Sequence, residues 1–273
     1  MNKKGIYISM NILAVVTALL FFFPTFWIVM STLKHRTELF TYPLTIFPEQ
    51  LTFVNFYNVL KNDNFLLYFK NSTIITVTAT AITVFINTLA GFAFAKYKFR
   101  GRDFIFLCLL SATMLPTEAI MNSSFTVIQK LGLYNSLWGA ILPTVATPTG
   151  VFIMRQFFME VPDSLIEACR IDGASEFQIF TLVALPLAKP VIAALTVFSF
   201  MWRWNDFIWP LISLSDPKKF TIPLIISNYA GELSIDWSSL LAASVISMIP
   251  VLIVFLVFQN YFIKGIANTG SKE

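Results

Sequence analysis

Six long apolar runs restrict what this chain can fold into more than any other feature. They occupy about residues 6–33, 71–95, 104–127, 136–158, 190–214 and 239–263. A stretch of roughly 20 mainly apolar residues is long enough to cross the hydrocarbon core of a bilayer as a helix. Because 56% of the 273 residues are hydrophobic and only 12% are charged, a soluble fold would have too few charges to cover its surface. The runs therefore predict six transmembrane helices.

Prolines lie inside several of these runs, including the third and the fourth. The third run is broken by Leu115-Pro116-Thr117-Glu118, and the fourth contains Pro143 and Pro148. A proline lacks the backbone N–H that a helix uses, but membrane proteins tolerate it where neighbouring groups satisfy the carbonyls that are left free. In the second run, small residues such as Ala79 and Gly91 favour a close approach of neighbouring helices.

Basic residues cluster beside the runs and predict the orientation of the chain. Four cations fall within residues 96–102. The same side of a six-span arrangement also carries Lys3, Lys4, Arg155, Arg170, Lys189, Lys264 and Lys272. An excess of Lys and Arg in short loops marks the cytoplasmic side. The sequence therefore predicts a multi-pass protein with both termini in the cytoplasm, and it makes the polar segments 34–70 and 215–238 external loops.

Composition argues against several classes of protein. The formal net charge is only +4, and the basic residues form no stripe interleaved with aromatic rings, so nucleic-acid binding is not indicated. Cys108, Cys169 and the single histidine, His35, match no disulfide or metal-ligand spacing. The sequence has no nucleotide-binding loop (GxxxxGK followed by Ser or Thr) and no HExxH or GxSxG motif. We therefore predict no catalytic residue, no metal site and no ATP hydrolysis by this chain.

The segment between the fourth and fifth runs, about residues 160–189, is amphipathic. Ser164 followed by Glu167 predicts a capping box that starts a helix. The apolar side chains of this helix fall on one face at helical spacing: Leu165, Ile166, Ala168 and Cys169. The pattern indicates a short helix displayed outside the membrane.

A turn and a second helix follow within the same segment. Asp172-Gly173 predicts the turn, because glycine accepts the left-handed conformation that ends a helix. Ser175 with Gln178 predicts a second capping box, and Leu185-Pro186 then redirects the chain into the fifth run. The predicted fold class is an all-α membrane protein with six transmembrane helices and a cytoplasmic helix-turn-helix between spans four and five.

The spacing within this helix-turn-helix resembles a known signature. Binding-protein-dependent ABC importer permeases carry Glu-Ala-Ala, three residues, Gly, nine residues, Ile, one residue and Leu-Pro. Here the order is Glu167-Ala168-Cys169, Gly173, Val183 and Leu185-Pro186, so only Cys169 and Val183 depart from it. The resemblance implies that the loop docks on a cytoplasmic ATPase and transmits its closure. The residues implied in this coupling are Glu167, Ala168, Cys169, Asp172, Gly173, Leu185 and Pro186.

Two of these residues also have simpler explanations. Glu167 is equally suited to be a helix-capping carboxylate worth about 1 kcal/mol. Gly173 is equally suited to be an ordinary helix stop. The full spacing between two membrane spans favours the coupling role, and one residue can serve both purposes.

A run in the fifth span resembles the sugar branch of this family. The sequence from Trp202 to Ile212 is similar to the Trp-Asn-acid-Phe and Trp-Pro-Leu-Ile pattern in the second permease subunit of maltose-type carbohydrate importers. The similarity covers nearly the whole chain, including the run from Ile171 to Ser175. The tail at 269–273 departs from the family pattern.

Ionisable residues within a span are costly and are candidates for function. Arg203 and Asp206 are three residues apart and could pair on one helix face. One alternative is that they neutralise each other near the external interface, where tryptophans form an aromatic belt. Trp204, Asn205 and Asp206 are the predicted substrate-path residues. Glu118 is a further candidate, with a headgroup-level acid at a kinked helix as its alternative.

The resemblance implies a sugar importer in the bacterial cytoplasmic membrane, with this chain as a single transmembrane permease domain over residues 1–273. The implied partners are a second permease subunit in a heterodimer, two ATPase subunits, an extracytoplasmic sugar-binding protein and membrane lipid. ATP and magnesium are used by the partner ATPase, and this chain binds no cofactor.

Three rival functions remain to be compared with this one. A permease for a peptide, an amino acid or an ion would share the cytoplasmic signature but not the run at 202–212. A membrane-embedded protease would need a nucleophile and base, or paired acids, that nothing in the sequence brings together. A structural scaffold would not require the helix-turn-helix.

Overall fold

The computed structural model describes residues 3–61, 64–231 and 234–269, and throughout these ranges the chain forms helices joined by turns and irregular segments. The first seven α-helices are α1 (Lys3–Thr32), α2 (Val54–Lys61), α3 (Phe65–Lys96), α4 (Arg102–Ser111), α5 (Thr117–Lys130), α6 (Leu137–Ile141) and α7 (Pro148–Glu160). The others are α8 (Asp163–Ile171), α9 (Glu176–Gln178), α10 (Leu185–Leu187), α11 (Lys189–Trp204), α12 (Ile208–Ser213), α13 (Ile222–Ala230) and α14 (Trp237–Thr269).

Three stretches are single unbroken helices long and apolar enough to cross a bilayer: Ser9–Thr32, Phe65–Lys96 and Trp237–Tyr261. They coincide with the first, second and sixth predicted spans. At 1.5 Å per residue, the 32 residues of α3 extend for about 48 Å, which exceeds the roughly 30 Å hydrocarbon core. The helix therefore projects beyond the hydrocarbon region.

Three further spans are bent pairs of helical segments. Arg102–Met114 meets Thr117–Lys130 at 108°, Leu137–Thr144 meets Pro148–Glu160 at 45°, and Glu176–Leu187 meets Lys189–Trp204 at 78°. A proline lies at or beside each break, namely Pro116, Pro148 and Pro190. Counting each pair as at most one span gives up to six, which agrees with the predicted all-α membrane fold. In the third pair only Lys189–Trp204 falls within the predicted span, because Glu176–Leu187 belongs to the 160–189 segment that precedes it.

The fifth predicted span, 190–214, is not one continuous helix. Helix α11 ends at Trp204 and α12 begins at Ile208. Pro210 explains the interruption, because its ring would clash with the carbonyl of Asp206 four residues earlier and it has no N–H to donate there. Instead, the Asp206 carboxylate accepts a hydrogen bond from the Trp209 N–H at 3.2 Å.

The two predicted external loops also contain helices. Residues 34–70 include α2 and the start of α3, and residues 215–238 include α13. The buried Asn55 on α2 donates hydrogen bonds to the carbonyls of Thr32 and Lys34, each at 2.8 Å. The last carbonyls of a helix lack partners within it, so this contact satisfies the end of α1. Such a long-range partner is not visible in the local sequence pattern.

The described residues form two compact units. One contains the chain up to Leu66 together with Ile225–Ile249, and the other contains Leu67–Leu224 and the chain from Pro250 onward. All candidate site residues lie in the second unit. There the Phe92 ring packs against Phe158 and Phe180, with ring centroids 5.3 and 5.4 Å apart. These contacts join α3 and α7 to the segment that precedes α11.

Candidate functional site

Helix α8 opens the 160–189 segment, but it does not begin as the sequence predicted. Its N-cap residue is Pro162, and Asp163 lies in the first turn, so the predicted capping box of Ser164 and Glu167 is wrong. The Asp163 carboxylate accepts a hydrogen bond at 2.6 Å from Lys96, which lies 67 positions earlier in the chain. The helix start is therefore stabilised by a charge on α3.

Only part of the predicted apolar face of α8 is buried. Ile166 is buried in the core with Phe92 and Phe158, and Cys169 packs against the same core. Leu165 and Ala168 are exposed. The four side chains are spread too widely around the helix for all of them to face the core, since consecutive residues are about 100° apart around its axis.

Helix α8 ends at the predicted glycine turn. Gly173 has a φ angle of +83°, and its N–H bonds to the Arg170 carbonyl at 3.1 Å. The Ala174 N–H bonds to the Cys169 carbonyl at 3.0 Å, which completes a Schellman motif after the C-cap, Asp172. A Cβ atom on Gly173 would meet nothing within 4 Å. The position therefore needs glycine for its backbone conformation and not for space within this chain.

The second half of the segment begins with the predicted capping box, which is confirmed. Ser175 Oγ accepts from the Gln178 N–H at 3.3 Å, and the Ser175 N–H donates to Gln178 Oε1 at 2.8 Å. The chain continues as a π-helix over Ile179–Ala184. A π-helix is rare and is often found at functional sites.

The predicted Leu185-Pro186 corner lies at the bend into α11. Leu185 is half-buried and packs against the core that contains Ile179 and Ala184, whereas Pro186 is exposed. The segment is therefore held to the core by its inner side chains and leaves its other side open.

The open side carries several of the predicted coupling residues and two others. Glu167, Ala168, Asp172 and Gly173 are exposed. Ile171 is 86% exposed and Phe177 is 70% exposed. Neither of these two apolar side chains was among the predicted coupling residues, although Ile171 lies out of phase with the buried Ile166 face, which was the available signal. Exposed apolar residues beside polar ones are typical of a protein contact surface.

A polar network joins the end of α3 to both halves of the segment. Lys96 Nζ donates to the Val161 carbonyl at 2.5 Å as well as to Asp163. Tyr97 Oη donates to Glu176 Oε2 at 2.6 Å, and Arg170 donates to Glu176 Oε1 at 2.7 Å and Oε2 at 3.2 Å. Glu176 thus connects α3, α8 and α9 through one carboxylate.

The pKa shifts of Glu176 and Tyr97 favour this hydrogen-bonded network at neutral pH. The hydrogen bond from Arg170, and then that from Tyr97, lower the pKa of Glu176. The resulting stability is present above the unfolded pKa of this carboxyl and is lost as pH falls through the folded pKa. Burial, and then the bond to Glu176, raise the pKa of Tyr97 to about 12. The contribution of this phenol is therefore full below its unfolded pKa and is lost as pH rises through the raised value.

The predicted substrate-path residues have unlike surroundings. Trp204 is only 2% exposed and stacks on Phe200 at 5.7 Å, so it is a packing residue in this conformation. Asn205 is exposed, and Asp206 is half-buried. Glu118 is exposed in the first turn of α5, just after the 108° bend.

Arg203 does not pair with Asp206, since among the described residues no ion pair within 4.0 Å joins them. Its guanidinium instead donates to Ser199 Oγ at 2.5 Å, to Thr83 Oγ1 at 2.7 Å and to the carbonyl of Thr144. The last acceptor lies at the end of the first half of the broken fourth span. The predicted pairing of Arg203 and Asp206 on one helix face was therefore wrong, because acceptors on other helices take the guanidinium.

Two polar residues of α3 complete this arrangement around the break. Thr83 Oγ1 donates to the Val145 carbonyl at 2.8 Å. Asn87 Nδ2 donates to Thr147 Oγ1 at 2.6 Å, and Asn87 Oδ1 accepts a hydrogen bond from the Thr147 N–H at 3.4 Å. We call Thr83, Asn87 and Arg203 the break cluster. In a membrane, every freed backbone group must find a partner within the protein, and these side chains supply it at residues 144–147.

The family described as "Binding-protein-dependent transport system inner membrane component" matches residues 87–268 of this chain. The protein belongs to this family. The match contains the whole 160–189 segment, together with Asn87 and Arg203 of the break cluster. The predicted importer-permease family is confirmed, and the chain is an inner membrane component of a transport system.

Relatives and solved structures agree with this assignment. The chain is 35% identical over 270 residues to the arabinooligosaccharides transport system permease protein AraQ of Bacillus subtilis (strain 168), covering 97% of this chain and 95% of the relative. It is 30% identical over 276 residues to the sn-glycerol-3-phosphate transport system permease protein UgpE of Pectobacterium atrosepticum, covering 98% of each. A chain of a bacterial ABC transporter that imports the acidic polysaccharide alginate shares the fold, with a TM-score of 0.85, 23% identity and coverage of 96% and 98%.

Replacing Glu176 with glutamine in this inner membrane component is expected to loosen the network around the segment. Both Glu176 and Arg170 are partly exposed, so we expect a loss of less than about 1 kcal/mol in stability. Hydrogen–deuterium exchange should show faster amide exchange at residues 97–102 and 170–178. Asp103→Asn, which removes another exposed carboxylate bonded to an arginine, is the control and should leave exchange at 170–178 unchanged. Unaltered exchange in Glu176→Gln would show that the network does not hold the segment.

Proposed function

We propose that this inner membrane component is the transmembrane permease subunit of an ATP-driven importer for an oligosaccharide. The observation that carries the proposal is the 35% identity, over 97% of the chain, to an arabinooligosaccharide permease. The sugar-branch run from Trp202 to Ile212 also supports it.

The proposed assembly contains a second, related permease, two ATPase subunits and an extracytoplasmic sugar-binding protein. Family membership supports dependence on a binding protein. Because the sequence has no nucleotide-binding loop, ATP and magnesium would be used by the ATPase partners, and this chain would bind no cofactor. It would line one half of the translocation path in the bacterial cytoplasmic membrane, with both termini in the cytoplasm.

In this proposal the 160–189 segment is the cytoplasmic coupling element. Its exposed side, with Glu167, Ala168, Ile171, Gly173 and Phe177, would contact the ATPase. Its buried side packs on the core of α3 and α7 and continues through the π-helix into α11. Movement of the segment would therefore be passed to three membrane helices, as switching between inward and outward openings requires.

Uptake by cells with and without the gene tests this proposal. We would measure labelled arabinotriose, maltotriose, sn-glycerol 3-phosphate and a tripeptide, with the binding protein at constant level. The expected result is loss of uptake of one oligosaccharide and retention of the other solutes. Loss confined to sn-glycerol 3-phosphate, the solute named for the 30% identical relative, would mean that the imported solute is this phosphate ester and not an oligosaccharide. Loss confined to the tripeptide would favour the peptide alternative.

A further inference from the structure

Helix α5 presents three different sides around its axis. Residues three and four positions apart lie on the same side of a helix, because successive residues are about 100° apart. One side packs on the protein and contains the buried Ile128. A second side is exposed and apolar, with Ile120 at 42% and Val127 at 54% exposure. The third side is exposed and polar, and we call it the polar stripe: Glu118, Asn122, Thr126 and Gln129.

The polar stripe lies in the half of the third span that is farther from the basic residues at 96–102. Helix α4 runs from these residues to the 108° bend, and α5 runs from the bend toward Asn135. The Asn135 N–H donates at 2.9 Å to the carbonyl of Ser213, which is the last residue of α12 and precedes the predicted external loop at 215–238. The stripe therefore leads from the bend toward the side of the predicted external loops.

The polar groups of the stripe are not satisfied by this chain. In the described part of the chain, the side chains of Glu118, Asn122 and Gln129 have no hydrogen-bond or ion-pair partner. Thr126 Oγ1 donates to the Asn122 carbonyl at 3.0 Å, and its oxygen can still accept a bond. Polar side chains within a membrane span are costly against lipid, and they face the protein interior or a water-filled space. The apolar side of the same helix suits lipid, whereas the stripe requires polar surroundings.

The side chains of the stripe favour a water-filled space over contact with another membrane helix. Helices in membranes approach each other closely through small residues. The long side chains of Glu118 and Gln129 stand at the two ends of the stripe and would keep a second helix away. A carboxylate without a partner is also far less costly in water than in a packed interface. The exposed stripe therefore indicates water and a polar solute.

The chemistry of the stripe matches a solute with many hydroxyl groups. An amide offers both a donor and an acceptor, and a carboxylate accepts, so each can bond to a hydroxyl, which itself donates and accepts. At 1.5 Å per residue, the stripe extends for about 16 Å from Glu118 to Gln129. This length exceeds one sugar ring and suits several rings in a row.

We propose that the polar stripe of α5 is a saccharide-contact surface on the translocation path. The Asn122 amide donates to and accepts from sugar hydroxyls at the middle of the stripe, and Glu118 and Gln129 bond to hydroxyls on either side. Glu118 was selected from the sequence, and the structure adds the three residues that share its face. This inference rests on the proposed oligosaccharide import and names residues that contact the solute.

Cysteines on two sides of α5 test the site directly. Asn122→Cys and Val127→Cys are each made in a background of Cys108→Ala and Cys169→Ala, and the assembled transporter is reconstituted with its binding protein. The two positions lie about 140° apart around one helix, so Val127→Cys is a matched control at a similar depth. The rate of reaction with a charged methanethiosulfonate reagent is measured with and without arabinotriose and maltotriose. We expect Asn122→Cys to react faster than the control, and one saccharide at ten times its Kd to slow the reaction by about tenfold.

Two labelling results would overturn the inference. Labelling of Asn122→Cys no faster than that of Val127→Cys would mean that lipid or a second permease subunit covers the stripe. Fast labelling that neither saccharide slows would mean a water-filled space without sugar contact. Uptake by the parent transporter separates these failures from a failure of the proposed function: transport of a saccharide without protection at position 122 disproves only the site. Transport of no saccharide disproves both.

An alanine substitution keeps the test valid if the cysteine variant does not assemble. Asn122→Ala should lower saccharide uptake by about fivefold, the factor that corresponds to one lost hydrogen bond, while ATP hydrolysis stimulated by the binding protein continues. Asn122→Gln keeps the amide and should restore part of the uptake, and Val127→Ala should leave both rates unchanged. Unchanged uptake in Asn122→Ala, or a parallel fall of uptake and ATP hydrolysis, would assign Asn122 no contact with the solute and would also overturn the inference.

Discussion

Gly173→Val is expected to reduce uptake by roughly 5- to 30-fold per inserted transporter. A φ of +83° is left-handed, which costs a residue with a Cβ about 1–2 kcal/mol, and this corresponds to a factor of about 5–30 in population. The Schellman turn would open, and the relation between α8 and the second half of the 160–189 segment would be lost. Uptake and binding-protein-stimulated ATP hydrolysis are measured together, and both should fall.

Gly132 provides a matched control for backbone strain. It has a φ of +69°, and a Cβ there would also meet nothing within 4 Å, but it lies outside the 160–189 segment. Gly132→Val therefore carries a similar strain and should retain more of the uptake. Equal losses of uptake in the two variants would mean that Gly173 has no specific role in coupling.

Gly173→Asn separates backbone strain from docking. Asparagine tolerates the left-handed conformation, and the chain itself leaves room for the side chain. A stable Gly173→Asn variant that still fails to couple would indicate a partner surface close to this glycine. Full recovery of uptake would mean that only the turn conformation matters there.

Arg203→Met is expected to be the most destabilising substitution in the break cluster. It removes four hydrogen bonds from a charged donor, each worth about 1.5–3 kcal/mol, and leaves the Thr144 carbonyl without that donor. Removing a charge from a membrane span relieves only about 3 kcal/mol. We therefore expect a net loss of about 3 kcal/mol or more, together with a loss of uptake.

Arg155→Met is the control for this substitution. Arg155 lies over the Phe106 ring at 4.1 Å, makes a long hydrogen bond to the Phe94 carbonyl at 3.4 Å and a long ion pair with the exposed Asp103 at 4.0 Å, so its removal should cost less. Thermal unfolding in nanodiscs and uptake are the two measurements. If Arg203→Met unfolds at the wild-type temperature, the break in the fourth span does not depend on this arginine.

Locally encoded features were predicted well. The proline break at Pro116, the turn at Gly173 and the box of Ser175 with Gln178 all depend on groups within a few residues of one another. Backbone geometry and a nearby side chain are sufficient to specify them, so a single sequence carries the signal.

Features with distant partners were predicted poorly. Arg203 and Asp206 are close in sequence, but Arg203 bonds to Thr83, which lies 120 positions away. Asp163 starts α8 with a partner 67 positions away, which is why the box predicted for Ser164 and Glu167 does not form. A buried charge bonds to the acceptors that tertiary packing places beside it, and spacing along the sequence does not identify those acceptors.

The sequence by itself determined the membrane-spanning helical fold, the family and the helix-turn-helix with its glycine turn, because apolar length and local backbone chemistry specify them. Only the tertiary structure decided which side chains of that segment remain exposed, how Glu176 joins it to α3, and that Trp204 is buried whereas Trp202 is exposed. Those outcomes depend on which helix faces meet. Residues two positions apart on a helix point about 200° apart, so packing against a neighbour buries one and exposes the other.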